Sequence, residues 1–127
     1  MSAGLPSLFA QTQTQYSFVN FAGNVGRTGS LDGQGLEARF YEPNAVTIDS
    51  DGNLYVADTR NCTIRKVTAA GVTTTVAGVA GRKGSVDGIG SLARFFQPKG
   101  VAVDKAGNVY VADTYNNEMD PEIRTRG

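Results

Sequence analysis

Four short stretches rich in β-branched and aromatic residues follow one another between residues 45 and 77: 45–49 (AVTID), 53–58 (NLYVAD), 63–67 (TIRKV) and 72–77 (VTTTVA). Side chains of these types fit a pleated, half-buried surface, so each stretch reads as a strand. The connections at 50–52, 59–62 and 68–71 are short and draw on Ser, Asp, Asn, Thr, Ala and Gly, which suits hairpins. The expected unit is a four-stranded antiparallel meander. Its first two strands are apolar on both faces, whereas the third carries Arg65 and Lys66. That pattern predicts inner strands covered on both sides and a half-exposed third strand. Helical periodicity is confined to 35–40, too short to hold a helix alone.

The pattern is then written a second time. Residues 22–64 recur as 77–119, and 23 of the 43 aligned positions are identical, among them Asp32/Asp87, Arg39/Arg94, Pro43/Pro98, Asn53/Asn108 and Asp58/Asp113. A repeat of this length marks units that bury their apolar faces only by stacking on neighbours. Sheets whose inner strands are sandwiched and whose outer strands are wet describe the blades of a β-propeller. The expected fold class is therefore all-β, with two blades per chain. Val46, Ile48, Leu54 and Val56 should be buried, and so should Val101, Val103, Val109 and Val111.

Residues 98–114, PKGVAVDKAGNVYVADT, resemble the core of an NHL repeat, and 63–67 followed by 72–78 is similar to the outer strands of that unit. Residues 43–59 match with Ala45 in place of Gly and Thr47 in place of Ala. The resemblance covers residues 16–117. It implies a β-propeller of typically about six blades, of which this chain would hold two. It also implies an interaction platform without catalysis, although some six-bladed relatives are lyases or hydrolases with central metal sites.

The two ends differ from the middle. Residues 16–23 align with the fourth strand at 72–78, so the chain opens on a fourth strand without a blade of its own. The second unit shows two clear strands and then departs from the pattern; Ile123 and Arg124 fit a third strand recovered after a four-residue insertion. The expected divisions are a disordered leader at 1–15, an outer strand at 16–22 that completes a neighbouring blade, blade one at 23–78, and an incomplete blade two at 79–127. One end lacks what the other supplies, which predicts head-to-tail association of copies, closing as a trimer of six blades. Tyr16, Phe18, Val19 and Phe21 would form the assembly strand. The alternative is a truncated or engineered fragment of a longer propeller with no independent function.

Charge narrows the partners. Twelve basic and 12 acidic residues are scattered singly and balance to zero, a distribution without the footprint of a nucleic-acid or anionic-membrane binder. The chain has no apolar run of the roughly 18 residues a spanning helix needs. Histidine is absent, which removes the commonest general base and metal ligand. Cys62 is the single cysteine, so redox compartment stays open. Residues 5–11 look slightly like the end of a secretory leader but lack the basic start.

Several motifs have two readings. Asp49, Asp51 and Asn53 place oxygens at alternate positions around Gly52, as a calcium loop does; the second copy, 104–108, lacks the middle acid, and a hairpin turn whose Asp and Asn bond their own backbone is the preferred reading. Asp32, Arg39, Asp87 and Arg94 lie in the long connections before each blade, where the readings are an interblade salt bridge or a ligand-facing ring of charge. Asp58 and Asp113 read as turn-fixing residues. The triplet 61–63 fits a glycosylation sequon, and the glycine-rich 81–85 fails the spacing of a phosphate loop. No cofactor is expected. The function expected is a non-catalytic binding or scaffold module whose face loops take a protein or glycan, with a propeller lyase or hydrolase as the rival.

Overall fold

The computed structural model describes residues 15–116 and, as backbone, 118–124. All but the last residue of the expected leader lies outside the described residues. The remainder forms two antiparallel sheets, stacked face to face. Sheet one contains β1 (Gly33–Gln34), β2 (Pro43–Ile48), β3 (Leu54–Asp58), β4 (Thr63–Val67) and β5 (Val72–Ala77), in the order β1-β5-β4-β3-β2. Sheet two contains β6 (Gly100–Val103), β7 (Asn108–Asp113) and β8 (Glu118–Arg124), side by side in chain order. The four-stranded meander expected between 45 and 77 is present, edged by the two-residue β1. The stretch 35–40 holds only a single 3-10 turn, Gly35–Glu37.

Strand alternation sorts the side chains of each sheet into two faces. Tyr55, Ala57, Ile64 and Ala77 of sheet one are buried against Val109 and Val111 of sheet two and against Ala93 and Phe95 of the loop that precedes it. Ala45, Val76, Val101 and Val103 pack around this core. Val109 and Val111 are fully buried, and each contributes about 1.5–3 kcal/mol through loss of apolar contact with water. The chain crosses between the sheets at Gly78, whose φ is +83° and where a Cβ would stand 2.5 Å from the Cys62 carbonyl oxygen, so only glycine fits.

Three expectations change. Val46 and Ile48 are 61% and 60% exposed and Leu54 is half-buried, unlike their counterparts in sheet two. They occupy the face of sheet one that points away from sheet two; the loop before the sheet covers that face at Val56, Arg65 and Val67, and among the described residues its inner part at Val46 and Ile48 is left open. The third strand is buried apart from Lys66, because Arg65 points into the loop that covers it instead of into water. Finally, β8 begins at Glu118 opposite Asp113, as Thr63 stands opposite Asp58. The third strand of the second unit thus starts in step, and the irregularity enters later as a bulge facing Val109 and Tyr110. Residues 16–21 form no strand in the single chain.

Candidate functional site

The long connection before sheet one is held down by Arg65. Its guanidinium is fully buried and donates to the Asp58 carboxylate at 2.8 Å, the Asp32 carboxylate at 2.7 Å and the carbonyls of Arg39 and Leu31 at 2.8 and 2.9 Å. Phe40 lies under it, 4.9 Å from ring centroid to guanidinium carbon. A buried cation of this kind is tolerable only because two carboxylates and two carbonyls replace its water. Asp58, itself fully buried, also accepts from the Tyr41 N–H at 2.8 Å and from Asn61 at 2.7 Å. Burial pushes its carboxyl above the ordinary carboxylate range, against the opposing pull of Asn61, the Tyr41 N–H and Arg65.

This arrangement replaces the interblade salt bridge expected of Asp32 and Arg39. Asp32 binds Arg65 and the Thr75 N–H and hydroxyl, all of the sheet that its own loop covers. Arg39 turns back on its own 3-10 turn, donating to the carbonyls of Leu36, Glu37 and Ala38 at 2.6, 2.9 and 2.8 Å. Arg94 does the same with Ser91 and Ala93. Asp87 is exposed, and the register position that holds Arg65 in the first unit holds Asp120 in the second. A direct polar link between the two units is one that sequence reasoning missed: the buried Thr59 hydroxyl donates to the Pro98 carbonyl at 2.6 Å. No spacing signals it, since the Thr lies 39 residues from its acceptor.

The acidic turns close on themselves. Asp49 accepts from the N–H groups of Asp51 and Asn53 at 2.9 Å each and from the Asn53 side chain at 3.0 Å. Asp104 repeats this with Ala106 and Asn108 and adds the Tyr110 hydroxyl at 3.1 Å. The side chains of Asn53 and Asn108, first among the donors, hold the two carboxyls below the usual range. Asn61 of the sequon is buried, its amide donating to Gly29 and Asp58, which leaves it closed to modification in the folded chain.

Open surfaces remain among the described residues. The first is the bare face of sheet one, an apolar groove of about 440 Å³ whose floor includes Val46, Leu54, Val56 and Val67, with Phe21 and Phe40 at its wall. The second is the loop end of sheet two. There Phe96 and Tyr115 stack at 5.1 Å, Lys83 sits 4.8 Å from the Phe96 ring and Lys99 sits 5.3 Å from the Tyr115 ring. Tyr115 and both lysines are exposed, and stacking holds each ammonium on an aromatic face without removing it from water. At the same end of sheet one Arg60 pairs with Glu42 at 2.8 Å. Of the assembly-strand residues, Tyr16, Phe18 and Val19 are exposed and Phe21 borders the groove.

A family model described as NHL repeat matches residues 40–67 and 95–119, the strand-bearing halves of the two units. NHL repeat-containing protein 2 of Bos taurus is 34% identical over 108 residues, which are 80% of this chain and 15% of that protein. A solved structure of a protein of unknown function from Bacteroides thetaiotaomicron aligns with a TM-score of 0.73 and 31% identity, over 78% of this chain and 25% of that one. An auxiliary nutrient binding protein from Bacteroides ovatus aligns with a TM-score of 0.67 and 29% identity, over 80% of this chain and 28% of that one. The chain therefore spans between 15% and 28% of the length of these proteins. Two NHL repeats build its two sheets, and the chain belongs to the NHL-repeat family.

Proposed function

We propose that the chain is a non-catalytic binding and scaffold module, and that three copies close head to tail into a six-bladed β-propeller. One observation carries the reading. The face of sheet two formed by Val101, Val103, Val109 and Val111 is covered by sheet one, while on the same face of sheet one Val46 and Ile48 are exposed and Leu54 is half-buried, with only Val56 buried. Chemically matched faces of one repeat call for matched partners, and bare apolar area of this kind favours association. The partner face is partly open: Ala102 is exposed, and Gly100, Tyr110 and Ala112 are half-buried. A heterologous contact of this type closes when its rotation divides the circle.

The aromatic and cationic loop end of sheet two is the surface assigned to a protein or glycan ligand. Rigid rings with solvated cations give contact area at low entropic cost. The nutrient-binding relative supports a binding role over a chemical one. Light scattering on the purified chain tests the assembly: the expected mass is about three times 13.4 kDa. A mass of one chain at micromolar concentration overturns the ring and favours a two-blade piece of a longer propeller.

A further inference from the structure

We infer that residues 16–22 of one chain become the fourth strand of the next chain's second sheet, pairing with β8. The inference rests on the ring reading above and specifies the joint that closes it. The first observation concerns where the segment ends. Gly23 donates its N–H to the Gly35 carbonyl at 3.0 Å, and Gly78, 55 residues on, donates to Gly90 at 3.1 Å. Gly23 has φ +93° and lies against the Phe40 ring, and Gly78 has φ +83° and lies against the Phe95 ring. Residues 21–23 thus sit, relative to sheet one, where residues 76–78 sit relative to sheet two. The chain leading into Gly78 is β5, the fourth strand of the preceding sheet. The chain leading into Gly23 has no sheet beside it among the described residues, and Phe18 and Val19 are 94% and 81% exposed.

The second observation is the receiving edge. Among the described residues β8 borders sheet two and pairs on one side, with β7, leaving an edge that invites another strand. Its first four residues keep the register of β4: Glu118, Met119, Asp120 and Pro121 face Asp113, Ala112, Val111 and Tyr110, as residues 63–66 face residues 58–55. Carrying the β4–β5 register across places Ala22 opposite Met119, Asn20 opposite Asp120 and Val19 opposite Pro121. Pro121 supplies no N–H, so the joint has fewer ladder bonds to offer than β4–β5, and the sheet faces must carry the difference.

The third observation is polar. The buried Thr59–Pro98 hydrogen bond that ties sheet one to sheet two has its counterparts in Thr114 and Pro43, both exposed in the single chain. Across the joint the Thr114 hydroxyl would donate to the Pro43 carbonyl of the next copy. The occupant of the groove is thus a second copy, with its strand exchange, hydrogen bond and apolar face all transferred from contacts already made within the chain.

The test pairs truncation with cross-linking. Removing residues 1–22 should raise the concentration needed for association more than about tenfold, whereas removing 1–14 should leave it unchanged. In a Cys62→Ser background, Asn20→Cys combined with Asp120→Cys should give disulfide-linked dimers and trimers on mild oxidation, and neither single variant should give that ladder. Thr114→Val should weaken association several-fold without altering the circular dichroism of the chain. If the intact chain assembles but the truncation to residue 23 assembles equally well, the strand exchange is wrong and the ring stands. If the intact chain is a monomer, the ring reading fails and takes the strand exchange with it.

Discussion

The two sheets carry nearly the same residues on corresponding faces and bury them very differently. Val109 and Val111 are fully buried, whereas Leu54 is half-buried and Val46 and Ile48 are mostly exposed. The difference lies in the neighbours. Sheet two has Tyr55, Ala57 and Ile64 pressed on it, while the same face of sheet one looks out on a groove. The inner polar scaffolds differ as well. Sheet one has a buried guanidinium at Arg65 between two carboxylates, and sheet two has Asp113 held by the Phe96 N–H and the Asn116 amide. A repeat therefore repeats its geometry, while burial, and with it stability, depends on what is stacked beside each copy.

The largest effect should come from placing a charge on each of the two matched faces. Val111→Asp puts a carboxylate in a fully covered site and should cost more than about 4 kcal/mol, enough to unfold the chain. Val46→Asp, on the bare face, should change the stability of the single chain by no more than about 0.5 kcal/mol while abolishing assembly. Urea melts and light scattering on the two variants read this directly, and equal destabilisation would erase the distinction between the faces.

Next comes the buried cation. Arg65→Met removes the partner of Asp58 and Asp32 and should cost about 3–5 kcal/mol, since one buried carboxylate is left without its counter-charge. The loss should show as early protease cleavage in the loop over residues 23–42, which Arg65 holds to the sheet. Sheet two, with Asp120 at the matching register position, has no corresponding variant. An unchanged melting temperature would show that this loop is held mainly by its backbone bonds.

The smallest effect concerns the turns, where the two sheets agree. Asp49 and Asp104 have lowered carboxyl pKa values in the folded chain, chiefly through Asn53 and Asn108. Each contributes stability that is present above the unfolded carboxylate pKa, about 3.9, and is lost as pH falls through the lower folded value. Asp58 has the opposite sign: with its carboxyl raised by burial, its contribution falls as pH rises from the ordinary carboxylate range through its own higher value. Asp49→Asn and Asp104→Asn should each flatten the fall in melting temperature between about pH 4 and pH 3 by a similar amount. Unequal flattening would show that the two turns are not equivalent in solution.

Much of the fold was legible because its signals are local. Gly52 and Gly107 at φ +86° and +85°, the Asp–Asn pairs that clamp the same turns, and the β-branched runs on either side determine each hairpin within about a dozen residues. The 55-residue repeat then extended that reading to the second sheet. Asp58 and Asp113 were readable as turn-fixing residues because their nearest partners, Asn61 and Asn116, lie three positions on.

What tertiary structure alone decided involves partners far apart in the chain. Arg65 reads as a wet charge in a strand that also carries Lys66, yet it is buried because Asp32, 33 residues earlier, folds over it. Thr59 is one hydroxyl among many until Pro98 is brought to 2.6 Å from it. Val46 and Val101 are the same residue at the same place in the repeat, and nothing in either neighbourhood of sequence says which is covered. Hairpin and strand preferences are set by residues a few positions apart. Burial is set by the sheet lying on the other side, and among the described residues only one of the two matched faces has such a sheet.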